Sequence, residues 1–173
     1  MGGRLAFQLL NHSEEHFLGA IIESSHCGLR DEADRIERKK SDEMLANNIE
    51  EDFESFIKQW NRLPLFDSTP DHFKRFYENR MKRQDHRSMA ASLRGFGSGV
   101  MPPVCDELKK LKTPILMISG ENDLKYSRLM GQISKLNSNF TFQPVSNAGH
   151  RVHTDQPERL IQSIHEFLRK QNS

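Results

Sequence analysis

The spacing of apolar residues changes twice along the chain and divides it into three parts. Helical spacing at Leu5, Ala6, Leu9 and Leu10 is followed by a short apolar run at Gly19–Ser25, which is typical of a buried strand. From residue 30 to 103 the spacing is helical and no strand-like run occurs. After that, strand-like and helical runs alternate. We therefore expect a first core part at 1–29, a helical insertion with its return loop at 30–103, and a second core part at 104–173.

Helices and strands can be placed within this division. The predicted helices of the insertion are two between Asp31 and about Arg62, then Pro70–Arg80 and His86–Leu93. Beyond it, strands are predicted at Thr113–Gly120 and Phe140–Val145, and a last helix at 157–169 whose core face is Leu160, Ile161, Ile164, Phe167 and Leu168. A strand–helix–strand–helix order predicts parallel pairing through right-handed crossovers. The fold class is therefore α/β, with three strands and flanking helices.

Composition excludes several classes of function. The formal net charge is +1, and charges of both signs are concentrated in the predicted insertion, so we expect no nucleic-acid partner. No stretch approaches 18 apolar residues, and none has the layout of a signal peptide, so we expect no membrane contact. Cys27 and Cys105 are far apart and lack metal-ligand spacing. A reduced, cytoplasmic chain with no bound metal is the simplest expectation.

Candidate chemistry lies in the loops that follow predicted strands. Asp123 stands in a loop after one strand, and His150 stands in a loop after the next strand. The carboxyl ends of neighbouring parallel strands open on the same edge of a sheet, so these two loops should be close together. A carboxylate can fix the tautomer of a histidine and support its positive form. The sequence therefore predicts an acid–histidine pair, whereas either residue alone would be an ordinary loop residue.

The first four residues, Met1-Gly2-Gly3-Arg4, come directly before the first helix. Two glycines at a helix start can simply make it more flexible, or they can let the backbone pass close to another group. This four-residue motif is also typical of the second half of a nucleophile elbow. In that interpretation the serine would come immediately before Met1, and the N–H of Met1 would donate to an oxyanion. The chain order serine, acid, histidine then follows.

Together these residues resemble a known family. The segments that carry the resemblance are Met1–Arg4, His26–Leu29, Trp60 with Leu63–Phe66, Ser92–Gly97, Gly120–Asp123 and Ala148–His153. They are similar to 2-succinyl-6-hydroxy-2,4-cyclohexadiene-1-carboxylate synthase, an enzyme of menaquinone (vitamin K2) biosynthesis with the α/β-hydrolase fold. The resemblance implies a carbon–oxygen lyase that eliminates pyruvate from a succinyl-hydroxycyclohexene carboxylate, without metal or organic cofactor. Cys27 stands where a proline is usual in the family.

The resemblance also implies roles for single residues. Asp123 is matched to the triad acid, His150 to the triad histidine, and Arg4, Arg38 and Arg94 to anion-binding arginines. Three guanidinium groups suit a small substrate with several carboxylates, although a solvated surface arginine is the ordinary alternative for each. Trp60 and Phe66 could form an apolar wall of the substrate site, or pack within the insertion.

Without the serine, the chain alone is expected to be inactive, and its first strand would leave an unpaired apolar edge that lowers stability. Two other functions stay open at this point. One is a different α/β-hydrolase activity, an esterase or a carbon–carbon bond hydrolase. The other is a non-catalytic fragment or binding module.

Overall fold

The computed structural model describes residues 1–171, which form two compact units. The first, here called the core unit, comprises Met1–Cys27, Leu65–Thr69 and the chain from Val104 onward. The second, here called the insertion unit, comprises Gly28–Pro64 and Pro70–Pro103. Residues 65–69 therefore belong to the core unit, although they lie within the predicted insertion at 30–103.

Helices and strands follow the expected order. The helices are α1 Gly2–Ser13, α2 Glu32–Glu51, α3 Phe53–Trp60, α4 Asp71–Lys82, α5 His86–Phe96, α6 Leu124–Ser134, α7 Val152–Asp155 and α8 Pro157–Gln171. The strands are β1 Ala20–Glu23, β2 Ile115–Gly120 and β3 Phe140–Val145. The short helix α7 has no counterpart among the predicted elements, because four residues are too few to show a helical repeat.

The three strands form one parallel sheet in the order β1-β2-β3. Every residue of the central strand β2 is buried. Ile115 and Met117 pack in one apolar cluster, whereas Leu116 and Ile118 pack in another. Successive side chains of a strand point to opposite faces, so both faces of this sheet are covered by apolar residues. The α/β class with parallel strands and flanking helices is confirmed.

The apolar stripes of the outer helices are only partly buried. In α1 the core face consists of Phe7 and Leu10, while Leu5 and Leu9 are 48% and 44% exposed. In α8, Phe167 is buried, but Ile161 and Leu168 are about half exposed. The prediction that Ile161 and Leu168 belong to the core face of α8 was wrong. Helical spacing identifies a stripe, but the width of the partner surface decides how much of it is covered.

In the insertion unit, helix starts are fixed by aspartates. Asp31, Asp52 and Asp85 precede α2, α3 and α5, and each accepts hydrogen bonds from backbone N–H groups of the first turn at 2.8–3.1 Å. Such caps replace the intrahelical partners that the first N–H groups lack. Behind the caps, α2, α3 and α5 pack around a cluster of Ala46, Ile49, Phe56, Ile57 and Ala90.

The two cysteines are bonded to each other. Cys27 and Cys105 form a disulfide with their Cα atoms 5.0 Å apart, although 78 residues separate them in sequence. Next to it, the N–H of Val104 donates to the carbonyl of Cys27 at 2.8 Å. The expectation of a reduced chain was wrong. The bond joins the points where the chain leaves the core unit after β1 and returns to it before β2, and sequence distance gave no sign of this.

No helix within residues 1–171 is both long enough and apolar enough to cross a lipid bilayer.

Candidate active site

Asp123 stands directly after β2, where it begins helix α6. One carboxylate oxygen, Oδ1, accepts the backbone N–H of Tyr126 at 3.2 Å and so caps the helix. The side chain is almost fully buried. Because Oδ1 is used by the cap, the other oxygen is directed to a second partner.

That partner is His150, which follows β3. Its Nδ1 lies 2.7 Å from Oδ2 of Asp123. An ionised carboxylate can only accept, so Nδ1 carries the proton that is donated to it. When the imidazole is neutral, Nε2 is the unprotonated nitrogen and can take a proton from another group. The imidazole is 23% exposed and the carboxylate 4%, so the acid is the more deeply buried member of the pair.

Backbone contacts hold the two loops together. The N–H of Glu121 donates to the carbonyl of Val145, and the N–H of Asn122 donates to the carbonyl of Ala148. Both hydrogen bonds are 3.0 Å long. Gly120 makes this approach possible, because a Cβ at that position would collide with the carbonyl groups of Ala148 and Gly149. The loops therefore meet because β2 and β3 are neighbours and because the residue at their closest point has no side chain.

A carboxylate also fixes the backbone just before His150. Oδ2 of Asp155 accepts the N–H of Gly149 at 2.8 Å. Asp155 is the last residue of α7, so this short helix is tied to the histidine loop. Sequence reasoning missed Asp155, and its position five residues after a histidine gives no local signal of this contact.

Aromatic rings surround the imidazole. The ring of Tyr126 lies 4.7 Å from that of His150, and the ring of Phe66 lies 6.2 Å away in an edge-on arrangement. The guanidinium of Arg151 lies over the face of Phe66 at 3.9 Å. Phe66 is buried and belongs to the core unit. Its predicted place in a substrate wall stays a prediction, while its observed contacts are with the histidine and this arginine.

A second histidine–carboxylate pair lies on the core unit. Nδ1 of His153 lies 2.9 Å from both carboxylate oxygens of Glu23, the last residue of β1. The hydrogen bond that His153 donates to the carboxylate of Glu23 raises the pKa of His153 above its usual value. His153 is about half exposed. Its partner was not predicted, because 130 residues separate the two in sequence.

At the start of α1, the carbonyl of Met1 accepts the N–H groups of Arg4 and Leu5. A Cβ on Gly3 would lie 2.6 Å from that of Ser25, so the start of α1 passes close to the chain after β1 at this glycine. Gly2 has open space around it. Arg4 is buried, with 7% of its surface exposed. The oxyanion role of Met1 and the anion-binding role of Arg4 stay predictions.

The other predicted substrate residues lie in the insertion unit. Nε of Arg38 donates to Asp42 at 2.8 Å. Arg94 donates to Glu43, Glu50 and Asn47, and the hydrogen bonds to Glu50 and Glu43 raise its pKa above the usual range. Trp60 stacks on Phe56 with ring centres 5.7 Å apart and packs against the apolar cluster of this unit.

Among residues 1–171, no group of three or more histidine, cysteine, aspartate or glutamate side chains is arranged to hold a metal ion.

The chain is 32% identical over 173 residues to a Bacillus subtilis (strain 168) protein provisionally named for 2-succinyl-6-hydroxy-2,4-cyclohexadiene-1-carboxylate synthase activity. It is 26% identical over 170 residues to the synthase of that name from Salmonella typhimurium (strain LT2). These matches cover 97% and 98% of the chain. The chain resembles these synthases throughout its length.

The chain spans 63% of the Bacillus relative and 66% of the Salmonella relative, just under two thirds of each. It is also 29% identical over 179 residues to the chloroplastic protein PHYLLO of Arabidopsis thaliana, of which it covers 10%. No protein-family model matches the chain.

Solved structures give the fold. The structure of MenH from S. aureus matches 99% of the chain with a TM-score of 0.94 and 28% sequence identity, and the match covers 66% of that protein. An esterase from Exiguobacterium antarcticum matches 96% of the chain with a TM-score of 0.76 at 16% identity, which speaks for the fold alone. The chain has the fold of an α/β-hydrolase. Asp123 and His150 follow successive strands of that fold, in the order in which its acid and histidine occur.

Proposed function

We propose that a protein containing this chain eliminates pyruvate from a succinyl-hydroxycyclohexene carboxylate and yields 2-succinyl-6-hydroxy-2,4-cyclohexadiene-1-carboxylate, a step of menaquinone biosynthesis in the cytoplasm. The observation that carries the proposal is the bond between His150 and Asp123, within a chain that resembles such synthases over 97% of its length. The substrate class is a small acid with several carboxylate groups. No metal and no organic cofactor is needed for the residues named below.

The chemistry asks for a base and for stabilisation of negative charge. Elimination breaks a carbon–hydrogen bond and a carbon–oxygen bond; the electrons form a new double bond, and pyruvate leaves as its enolate, which takes up a proton. In the proposed site His150 removes the proton of the elbow serine through Nε2, and Asp123 supports the positive charge that the imidazole then carries. The serine oxygen acts as the base toward the substrate. Its place immediately before Met1 stays a prediction.

Carboxylate recognition is assigned to arginine. Arg4 in the core unit and Arg38 and Arg94 in the insertion unit are the proposed anion-binding residues, with Trp60 and Phe66 as apolar neighbours of the substrate and Met1 as an oxyanion donor. A planar guanidinium binds carboxylates through paired hydrogen bonds, which suits a substrate of this class.

A chimaera tests the proposal. The N-terminal segment of the Bacillus subtilis relative would be placed before Met1, and pyruvate release would be followed with lactate dehydrogenase and NADH. We expect pyruvate release that falls by about a thousandfold or more in the His150→Ala variant. The His165→Ala variant is the matched control, because His165 lies exposed on α8. We expect it to keep full activity.

The same chimaera separates the alternatives. Hydrolysis of p-nitrophenyl esters without release of pyruvate would indicate an esterase, which the same acid–histidine pair can serve. If neither reaction is observed, the chain is non-catalytic. Either result would contradict the proposed lyase function.

A further inference from the structure

The arginines Arg38 and Arg94 of the insertion unit differ in how their guanidinium groups are occupied. Arg94 donates from Nε to both oxygens of Glu43, from Nη1 to Glu50, and from Nη2 to Glu50 and Asn47, all between 2.7 and 3.1 Å. Arg38 donates only from Nε, to Oδ1 of Asp42 at 2.8 Å. Within the described chain its Nη groups bind no acceptor, and 39% of its side chain is exposed.

The partner of Arg38 is a buried carboxylate. The side chain of Asp42 is 2% exposed, and its second oxygen, Oδ2, has no hydrogen-bond partner among the described residues. Space for this oxygen depends on Gly97, because a Cβ at position 97 would collide with Oδ2 and with the carbonyl of Leu93. The end of α5 is therefore shaped to accept the carboxylate of α2.

Helix stability is a poor explanation for this pair. Removing a carboxylate from water is unfavourable, and apolar residues in place of a buried ion pair are often neutral or stabilising. The order of the two residues along α2 is also the less favourable one for such a pair, because the acid follows the base by four residues. Asp42 is therefore expected to stabilise α2 little more than an apolar residue would.

We propose that Asp42 is a positioning residue that holds Arg38 ready to bind a substrate carboxylate. The bond at Nε fixes the plane of the guanidinium. Both Nη groups are left to form paired hydrogen bonds with a carboxylate, the arrangement that makes arginine selective for this group. Arg94, in contrast, has protein acceptors at all three of its nitrogen atoms, so it would have to exchange some of these hydrogen bonds in order to bind a carboxylate. This role for Asp42 rests on the proposed function, because it takes Arg38 as a ligand of the acid substrate.

The test uses the 173-residue chain and succinate as a probe. The variant Asp42→Asn keeps the size of the side chain and removes its charge, and Glu37→Gln is the control, because Glu37 is an exposed acid next to Arg38 on α2. Proton exchange at Nε of Arg38 is measured by nitrogen-15 NMR, with the signal assigned by its loss in Arg38→Lys. Succinate affinity is measured on the same samples.

We expect Asp42→Asn to speed exchange at Nε of Arg38 by roughly tenfold or more, as loss of a charge-assisted hydrogen bond implies. Succinate should bind about two- to tenfold more weakly, because a freely rotating arginine must then be immobilised on binding. Arg38→Lys should also weaken binding, whereas Glu37→Gln should change neither quantity.

Three results would overturn the proposal. Unchanged exchange in Asp42→Asn would show that Asp42 does not hold Arg38. A lower melting temperature with unchanged succinate affinity would show a purely structural role. Unchanged succinate affinity in Arg38→Lys would show that Arg38 is not the carboxylate ligand. None of these affects pyruvate release by the chimaera with the native insertion unit, so the proposed function is judged separately.

Discussion

Nδ1 of His150 lies 2.7 Å from Oδ2 of Asp123, while the other oxygen of the same carboxylate caps helix α6 through the N–H of Tyr126. One side chain thus performs two tasks: it begins a helix and fixes a histidine tautomer. The helix cap holds the carboxylate in place, and the carboxylate in turn orients the imidazole. Both tasks depend on the position of Asp123 directly after β2.

Two substitutions of Asp123 should separate these tasks. Serine is a good helix cap but is too short to reach His150, whereas alanine provides neither contact. We expect both variants to lose the Nδ1–H signature of His150 in nitrogen-15 NMR. We expect Asp123→Ala to be less stable than Asp123→Ser by about 0.5–2 kcal/mol, the usual effect of a lost cap. Equal free energies of unfolding in the two variants would show that the cap adds nothing.

The pair of Glu23 and His153 should make stability depend on pH. Glu23 raises the pKa of His153 in the folded state above the ordinary value of 6.5. The stabilisation is therefore fully present below pH 6.5 and is lost as pH rises through the raised value. We expect Glu23→Gln to lower the free energy of unfolding more at about pH 6 than at about pH 9. The difference should stay below about 1 kcal/mol, because the pair is partly exposed to solvent.

The control for this effect is His153→Gln, in which the loss caused by Glu23→Gln should no longer change with pH. Chemical denaturation at the two pH values measures both. A larger loss at the higher pH would contradict the assigned pair.

The disulfide should stabilise the chain. It closes a loop of 78 residues, and cross-links over long loops restrict the unfolded chain strongly. We expect Cys27→Ser or Cys105→Ser to lower the free energy of unfolding by about 2–5 kcal/mol. Thiol counting on the denatured wild-type chain should find no free thiol until a reductant is added.

Reductant itself supplies the control. It should lower the melting temperature of the wild-type chain but leave that of the double variant Cys27→Ser, Cys105→Ser unchanged. A wild-type chain that melts at the same temperature with and without reductant would argue against a stabilising bond.

Gly120 should tolerate no side chain. A methyl group there would meet the carbonyl groups of Ala148 and Gly149 in the histidine loop. We expect Gly120→Ala to lower the free energy of unfolding by about 1–3 kcal/mol and to shift the NMR signals of His150.

The matched control is Gly95→Ala in α5, where the new methyl group meets no atom within 4 Å. It should stabilise by up to about 0.5–1 kcal/mol, because alanine loses less backbone freedom in a helix. Equal effects of the two substitutions would contradict the close approach at Gly120.

Much of the fold could be predicted because it is encoded locally. The apolar runs at Thr113–Gly120 and Phe140–Val145 predict strands that β2 and β3 match closely. Each of the capped helices of the insertion unit is capped by a single aspartate that directly precedes it in sequence. The position of Asp123 and His150 at one sheet edge also follows from chain order, because neighbouring parallel strands end on the same side.

Other features were decided only by the tertiary structure. The bond between Cys27 and Cys105 and the contact of Glu23 with His153 join residues 78 and 130 positions apart, and no local spacing announces such pairs. The exposed fractions of Leu5 and Leu9 depend on which residues pack against α1, and their helical spacing does not determine them. Arg94 of α5 is bound by carboxylates of another helix, α2, whereas Arg38 binds a carboxylate of its own helix. The sequence by itself determined the elements and the residues that carry chemistry; packing between distant segments decided which of them meet.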